Sequence, residues 1–307
     1  MQDKRILVTG GAGFIGSNVA NTLASENEVI AVDDGSHGSP DHLHRDVSYV
    51  NADVRAGEVP TDVDHIIHLA ALSSYGMHRD RPVEGASVNV SGFVNVIEQA
   101  RRDGCASVVY ASSSSVYADG SEPSHESDTT VANTAYEASK LAREQYAECF
   151  SRQYDMNLCG VRLFSVYQGF GKQESHKAQF ANVIAQFAED LAQGRPPELY
   201  GDGTQTRDFT HVDDVVRAIV TALEHRLDGV YNVGTGRATD FNTLVAMLNE
   251  QMGTDLEPRY VPNPIPEHVY VHDTCADYRR LRAATGWTPR IDLESGIERV
   301  CNQYIEA

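Results

Sequence analysis

The chain has 307 residues, and its 44 acidic and 25 basic side chains give a formal net charge of −19 at pH 7. An acidic surface of this kind repels a phosphate backbone, which argues against nucleic-acid binding. No signal peptide, no apolar span of about 18 residues and no cysteine pattern with zinc spacing is visible, so we expect a cytoplasmic protein with reduced thiols, no membrane partner and no metal site.

The chain opens with a strand, a glycine-rich turn and a helix. Residues 5–9 are apolar and β-branched, as in a buried strand, and Ile15, Val19 and Leu23 then follow helical spacing. A turn of this kind lets a pyrophosphate approach the backbone and the start of the helix. We therefore predict dinucleotide binding by Gly10, Gly13, Phe14, Ile15 and Gly16.

The second strand, residues 28–32, ends at two carboxylates, Asp33 and Asp34. An acidic residue at this distance binds the ribose hydroxyls of NAD, and its charge repels the additional phosphate of NADP. The nearest arginine that follows is Arg45. The alternative is a solvated turn, because Asp-Asp-Gly-Ser also suits a turn.

Tyr136 and Lys140 stand four residues apart on a helix predicted over residues 134–152. This spacing puts both side chains on one face. There an ammonium group stabilises tyrosinate and lowers the pKa of tyrosine from its ordinary value of about 10. Upstream, an apolar strand ends in four serines, 112–115, at the edge where a parallel sheet binds ligands. The pattern predicts hydride chemistry with tyrosine as acid or base; a chance pair on a solvated helix is the alternative.

Taken together, these motifs resemble the extended short-chain dehydrogenase/reductase family, in its nucleotide-sugar epimerase and dehydratase branch. The resemblance covers nearly the whole chain. It implies that NAD is the cofactor, that Tyr136 is the catalytic base, that Lys140 holds the ribose and tunes the tyrosine, and that Ser113 is the catalytic hydroxyl. The further cofactor-binding residues that it implies are Asp53, Val54, Ala70, Ala71, Asn89 and Ser112.

The residues after the catalytic serine narrow the reaction. Dehydratases of the family carry an Asp-Glu pair there, and decarboxylases often carry a glutamate, whereas this chain has Ser114 and Ser115. Without an additional acid or base, the simplest outcome is epimerisation through a transient keto-sugar. A net NAD-dependent dehydrogenase and a non-catalytic NAD-binding sensor are the alternatives.

The second half resembles proteins that bind nucleotide-diphosphate sugars. Residues 201–209 (GDGTQTRDF) match the family segment in which an arginine grips the diphosphate, and this implicates Arg207. A surface ion pair is the alternative for Arg207. The other substrate-binding residues implied are Ser165, Gln179, Glu198, Tyr200 and Tyr270.

Two features leave the substrate open. Ser165 stands where 4-epimerases commonly have asparagine, and His176-Lys177 and the stretch 260–277 look more like ADP-heptose 6-epimerases. In that group a lysine following this histidine is a second acid/base, so Lys177 is either catalytic or a phosphate-contacting loop lysine. The leading prediction is a UDP-glucose/UDP-galactose 4-epimerase, or one acting on the N-acetyl forms; the heptose-type 6-epimerase is the alternative.

Strand and helix patterns alternate in the first half, which predicts a Rossmann-type α/β fold with a doubly wound parallel sheet. The predicted strands are 5–9, 28–33, 47–52, 64–69, 106–111 and 157–163. We predict an NAD-binding domain over residues 1–164, to which 209–236 returns, and a smaller C-terminal α/β substrate-binding domain over 165–307. The resemblance implies a homodimer formed by the helix after the fourth strand and the tyrosine helix.

Lysine is scarce in this acidic chain, which holds only Lys4, Lys140, Lys172 and Lys177. An acidic, lysine-poor surface is typical of adaptation to high salt, where screening relieves self-repulsion. We therefore predict a halophilic source, with codon bias toward arginine as the alternative.

Overall fold

A computed structural model of the chain describes residues 1–56, 59–117, 123–168 and 181–305. Its strands are β1 (Arg5–Thr9), β2 (Glu28–Asp33), β3 (Val47–Asn51), β4 (His65–His68), β5 (Ser107–Ser113), β6 (Leu158–Leu163), β7 (Val166–Tyr167), β8 (Glu198–Tyr200), β9 (Thr206–Arg207), β10 (Thr210–His211), β11 (Gly229–Val233), β12 (Thr239–Asp240) and β13 (Arg259–Val261). Its helices are α1 (Phe14–Leu23), α2 (Tyr75–Asp80), α3 (Pro82–Ala86), α4 (Phe93–Asp103), α5 (Ala135–Tyr154), α6 (Val183–Ala192), α7 (Val212–Glu224), α8 (Phe241–Met252), α9 (Arg279–Thr285) and α10 (Leu293–Ile305).

Seven of the described strands form one parallel sheet, in the order β11-β6-β5-β4-β1-β2-β3. Parallel neighbours require long crossover connections. Helices supply them between β1 and β2, β4 and β5, β5 and β6, and β6 and β11, whereas β2 and β3 are joined by a segment that holds only the short 3₁₀ turn Pro40–His42. The strand order reverses at β1, because β2 lies on one side of it and β4 on the other. A ligand crevice opens at such a switch point. The predicted Rossmann-type α/β fold is confirmed.

Helices cover both faces of the sheet. Successive residues of a strand point to opposite faces, so β1 sends Ile6 and Val8 into one hydrophobic core and Leu7 into the other. The first core includes Val19 of α1, which packs beside α7. The second includes Phe93 of α4. The two cores hold the carboxyl ends of the central strands in fixed positions.

A third hydrophobic core lies in the C-terminal part of the chain. Helices α6, α8 and α10 pack together there and bury Ile184, Leu244, Leu248 and Val300. This part is interleaved with the sheet, because α7 packs on α1 and β11 pairs with β6.

The predicted strand ends agree with the observed ones to within two residues. The largest difference is at β5, which continues to Ser113 because Ser113 still pairs with Leu163 of β6. Asp240 caps the start of α8 by accepting the N–H of Thr243, and the left-handed Gly253 ends the helix. Among the described helices, none has both the length and the apolar composition needed to cross a membrane.

Candidate active site

A cavity of about 600 Å³ lies at the carboxyl ends of the central strands. The loops after each of the strands β1 to β6 line it, as does the C-terminal part of the chain. Seventeen of the predicted site residues line this cavity: Gly10, Gly13, Phe14, Ile15, Gly16, Asp33, Asp34, Asp53, Val54, Ala70, Ala71, Ser112, Ser113, Tyr136, Lys140, Ser165 and Arg207.

The glycine turn brings the backbone between β1 and α1 close to the cavity. Gly10 has φ +65°, a left-handed conformation that glycine tolerates, and a Cβ there would lie 2.7 Å from the amide nitrogen of Ala70. A Cβ on Gly16 would overlap the carbonyl oxygen of Gly10. Helix α1 begins at Phe14 and has no acidic side chain in its first turn. The positive end of its dipole therefore favours a phosphate at this point.

Asp33 supports the glycine turn at the end of β2. One of its carboxylate oxygens accepts a hydrogen bond from the N–H of Ala12 (3.2 Å), and the other accepts one from the N–H of Gly35 (2.9 Å). Burial raises the pKa of Asp33, and the two hydrogen bonds oppose that rise. The neighbouring Asp34 accepts the N–H of Ser36 (2.9 Å). The segment therefore forms the turn that its sequence suits, and both Asp33 and Asp34 also line the cavity.

Arg55, which sequence reasoning missed, lies at the same end of the cavity. Its guanidinium donates to the carboxylate of Asp53, with Nε and Nη2 at 2.9 and 2.6 Å, and this pairing lowers the pKa of Asp53. The parallel pairing of β2 with β3 places Asp33 beside Asn51, so the residues just after β3 lie next to Asp33. The proximity of Arg55 to Asp33 does not follow from their separation along the chain, but it does follow from the strand order.

Ser112 and Ser113 end β5 and have different partners. The Ser112 hydroxyl donates to Glu144 (2.5 Å), whose carboxylate also pairs with the buried guanidinium of Arg162 (2.7 Å). The Ser113 hydroxyl lies 2.9 Å from the Ser115 hydroxyl. The Ser112 hydroxyl is thus bound to a carboxylate, whereas the Ser113 hydroxyl has another serine hydroxyl beside it.

A capping box fixes the start of α5 and thereby the position of Tyr136. The Thr134 hydroxyl accepts the N–H of Glu137 (3.3 Å), and the Glu137 carboxylate accepts the N–H of Thr134 (2.9 Å). Tyr136 is consequently in the first helical turn, with Lys140 one turn later. The Lys140 ammonium lies 5.6 Å from the centre of the Tyr136 ring and donates to the carbonyl of Ala111 (3.2 Å).

The pKa values of this pair are shifted in opposite directions by burial. Burial raises the pKa of Tyr136, while a hydrogen bond with Ser113 and the charge of Arg143 lower it. Burial also holds the pKa of Lys140 well below its ordinary value, and the charge of Arg143 adds to that effect. A buried acid–base pair with perturbed pKa values in a cavity is typical of a catalytic site.

Arg207 projects from β9 into the substrate side of the cavity. Its guanidinium donates to the carbonyls of Thr206, His272 and Val271, each at 2.7 Å, and lies 5.6 Å from the ring centre of Tyr270. No described carboxylate forms an ion pair with it, which disfavours the surface ion-pair alternative. A cation held by neutral carbonyls keeps its charge available for a phosphate.

Four predicted site residues lie elsewhere. Asn89 is fully buried and hydrogen-bonds the backbone of Leu72 (2.9 and 3.0 Å), so it secures the loop after β4 without lining the cavity. Glu198 pairs with Arg259 on the exposed β8–β13 ribbon. Tyr200 and Tyr270 line a second cavity of about 430 Å³.

Two predicted site residues, Lys177 and Gln179, fall outside the described residues. The structure therefore leaves their roles as predictions.

The residues present fit a dinucleotide. The glycine turn leaves room for a pyrophosphate at the start of α1, and Asp33 offers a carboxylate at the end of the adjacent strand. The cavity then reaches Ser113, Tyr136 and Lys140 at the other side of the strand-order switch point. NAD would be held by these groups, with its adenosine half toward β2 and β3.

Comparisons with known proteins agree with this geometry. The model of the "NAD dependent epimerase/dehydratase family" matches residues 6–234. A UDP-glucose 4-epimerase of Mycolicibacterium smegmatis is 35% identical over 96% of each chain, and an ADP-L-glycero-D-manno-heptose-6-epimerase of Alkalilimnicola ehrlichii is 32% identical over 98% of each. The structure of a UDP-glucose 4-epimerase from Thermotoga maritima with UDP-glucose superposes with a TM-score of 0.91, at 30% identity, over 98% of this chain and 99% of that one. The chain belongs to the NAD-dependent epimerase/dehydratase family.

Proposed function

We propose that this protein is an enzyme that epimerises a nucleotide-diphosphate sugar with NAD as its cofactor. The observation that carries the proposal is the convergence of Ser113, Tyr136 and Lys140 on the cavity that the glycine turn also lines. Likeness to the UDP-glucose 4-epimerases favours UDP-glucose and UDP-galactose, or their N-acetyl forms, as substrates.

Side chains of the protein remove the proton of the sugar hydroxyl and later return it. The Tyr136 phenolate accepts the proton of the sugar hydroxyl and later returns it, while the Ser113 hydroxyl orients the reacting oxygen. The charge of Arg143 favours the phenolate, and we assign to Lys140, whose amino group lies 5.6 Å from the centre of the Tyr136 ring, the tuning role that the family implies. NAD, when bound, supplies the hydride acceptor and the hydride donor. Because Ser114 and Ser115 follow Ser113, this segment supplies no acid or base for elimination or decarboxylation.

Arg207 binds the diphosphate of the substrate in this proposal, and Ser165, Gln179 and Tyr270 are further contacts. The substrate contacts of Glu198 and Tyr200 stay predictions: Glu198 pairs with Arg259, and Tyr200 lines the second cavity. Residues 1–164 with 209–236 hold the cofactor, and the remainder holds the substrate.

A second candidate is the 6-epimerisation of an ADP-heptose. It is favoured by the likeness to the heptose 6-epimerase over 98% of both chains. In this case Lys177 acts as a second acid/base, whereas in a 4-epimerase it has a binding role.

We further propose a cytoplasmic homodimer with a surface adapted to high salt. Exposed apolar or aromatic side chains on α3 and α5 support a contact there: Val83 is 83% exposed, Tyr146 44% and Tyr154 41%. Sedimentation in molar KCl tests the dimer, and a monomer at all concentrations would contradict it.

Product analysis by NMR tests the function. The protein is incubated in molar KCl with NAD and, separately, with UDP-galactose, UDP-N-acetylglucosamine and an ADP-heptose. Inversion at C4 of a UDP-sugar is expected, with loss of turnover but retained NAD binding in Tyr136→Phe. Inversion only at C6 of the heptose would favour the second candidate. Stoichiometric NADH release would identify a dehydrogenase, and no turnover of any substrate would favour a sensor.

A further inference from the structure

A second cation is buried behind the catalytic pair. Arg143 lies seven residues after Tyr136 on α5, about two turns along the same face, and its side chain is fully buried. Its guanidinium donates to three backbone carbonyls: Asn89 (Nε, 2.5 Å), Ala70 (Nη2, 2.7 Å) and Ala111 (Nη1, 3.4 Å). These carbonyls belong to the loop after β4, to β5 and to the π-helical turn Ser87–Gly92 that joins α3 to α4.

The charge of Arg143 has no anionic partner among the described residues. The carboxylate next to it in sequence, Glu144, is already bound by Arg162 and Ser112. Burial lowers the pKa of Arg143 to about 10, so the group is still protonated at neutral pH. A buried charge is costly unless it is paired. Deprotonation of Tyr136 would supply the missing anion.

Arg143 is also linked to Lys140 through a shared acceptor. The carbonyl of Ala111 accepts the Lys140 ammonium at 3.2 Å and Nη1 of Arg143 at 3.4 Å. Two cations on one carbonyl repel each other, so the charge of Arg143 shifts the pKa of Lys140 downward. Arg143 is therefore the cation that keeps its charge in this pair, since guanidinium is the stronger base.

We propose that Arg143 is a positioning residue: its fixed charge stabilises the Tyr136 phenolate, and its hydrogen bonds hold the carbonyl that anchors Lys140. The proposal rests on the proposed function in one respect, the role of Tyr136 as base. Arg143 thus both positions the carbonyl that Lys140 binds and stabilises the negative charge of the phenolate.

Several other groups contribute to the electrostatic environment of this pair. They come from α5 (Glu137, Lys140, Glu144), α2 (His78), β4 (His68), β5 (Tyr110, Ser113) and β6 (Arg162). Burial lowers the pKa of both His68 and His78, so these two histidines are neutral near pH 7. Arg162 is balanced by Glu144. Among these groups, the charge of Glu137 opposes the Tyr136 phenolate, and Arg143 is the cation whose charge favours it.

The test titrates Tyr136 in the NAD-loaded protein by tyrosinate absorbance, with Tyr136→Phe subtracted to remove the other tyrosines. Arg143→Met and Arg143→Gln remove the charge, and Gln keeps part of the hydrogen bonding. Both are expected to move the Tyr136 midpoint toward alkaline pH by about one unit, so that about tenfold less phenolate is present at neutral pH. Arg143→Lys keeps the charge and should titrate close to the wild type. An unchanged midpoint in the neutral variants, or an equal shift in Arg143→Lys, would overturn the electrostatic role.

A measurement on the wild-type protein covers the case in which the neutral variants do not fold. The Nε resonance of Arg143, assigned by its loss in Arg143→Lys, should shift at the Tyr136 midpoint and should not do so in Tyr136→Phe. A resonance that ignores the Tyr136 titration would overturn the proposal. Neither assay requires a sugar, so failure of this inference is distinguishable from failure of the proposed epimerase activity.

Discussion

Replacement of Gly10 by alanine tests the close packing of the glycine turn. Two costs follow from the structure. An alanine at φ +65° costs about 1–2 kcal/mol in backbone conformation. Its Cβ would lie 2.7 Å from the nitrogen and 2.9 Å from the Cα of Ala70, and because both are backbone atoms the loop after β4 must move. Overpacking of this kind costs a further 1–3 kcal/mol, roughly.

Gly104 provides a matched control. It ends α4 with φ +73°, but a Cβ there meets nothing within 4 Å. Gly104→Ala should therefore pay only the conformational cost, and Gly10→Ala should be less stable than Gly104→Ala by about 1–3 kcal/mol. Urea unfolding followed by circular dichroism measures both.

Cofactor affinity separates a local effect from a global one. Displacement of the turn moves the start of α1, where the pyrophosphate binds. Gly10→Ala should therefore bind NAD about tenfold more weakly than the wild type, whereas Gly104→Ala should bind it with the affinity of the wild type. Calorimetric titration with NAD gives these constants. Equal stabilities and equal affinities for the two variants would refute the argument that Gly10 is required by its contact with Ala70.

Three further predictions concern pH, substrate binding and salt. His68 is buried, and its pKa lies well below the ordinary 6.5, so below about pH 6.5 the unfolded chain binds a proton that the folded chain does not. The unfolding free energy should therefore fall with decreasing pH. In His68→Asn the fall should be shallower by up to about 1.4 kcal/mol per pH unit, whereas the exposed control His44→Asn should follow the wild type. Parallel curves for all three proteins would contradict this role of His68. Arg207→Met should raise KM about tenfold to a hundredfold with little change in kcat, whereas Arg259→Met should alter neither; a loss confined to kcat would argue against diphosphate binding. The thermal unfolding midpoint should rise from low to molar KCl, and maximal stability at low salt would reject the halophilic proposal.

The sheet could be predicted closely because its signals are local. Most strands of the sheet are short apolar runs, and those that are followed by a turn and a helix, such as β1 and β5, leave few topologies. The Tyr136–Lys140 pair could also be predicted, since both residues lie on one helix and a four-residue spacing fixes their common face.

The residues that escaped prediction depend on contacts between distant segments. Arg143 stands in the middle of a helix, where arginine is ordinarily exposed, and its burial depends on carbonyls from three other segments. Arg55 reaches the Asp33 end of the cavity only through the pairing of β2 with β3. The ion pair of Glu198 with Arg259 likewise depends on the pairing of β8 with β13, which places the two residues opposite each other.

In the proposed reaction a hydrogen leaves the sugar carbon and returns to it as a hydride, while Tyr136 transfers only the hydroxyl proton. Epimerisation of UDP-galactose in deuterium oxide, followed by NMR, tests it directly. A hydride does not exchange with solvent, so we expect a product that keeps protium at the inverted carbon. Incorporation of solvent deuterium at that carbon would contradict the account, because it would require proton abstraction from carbon.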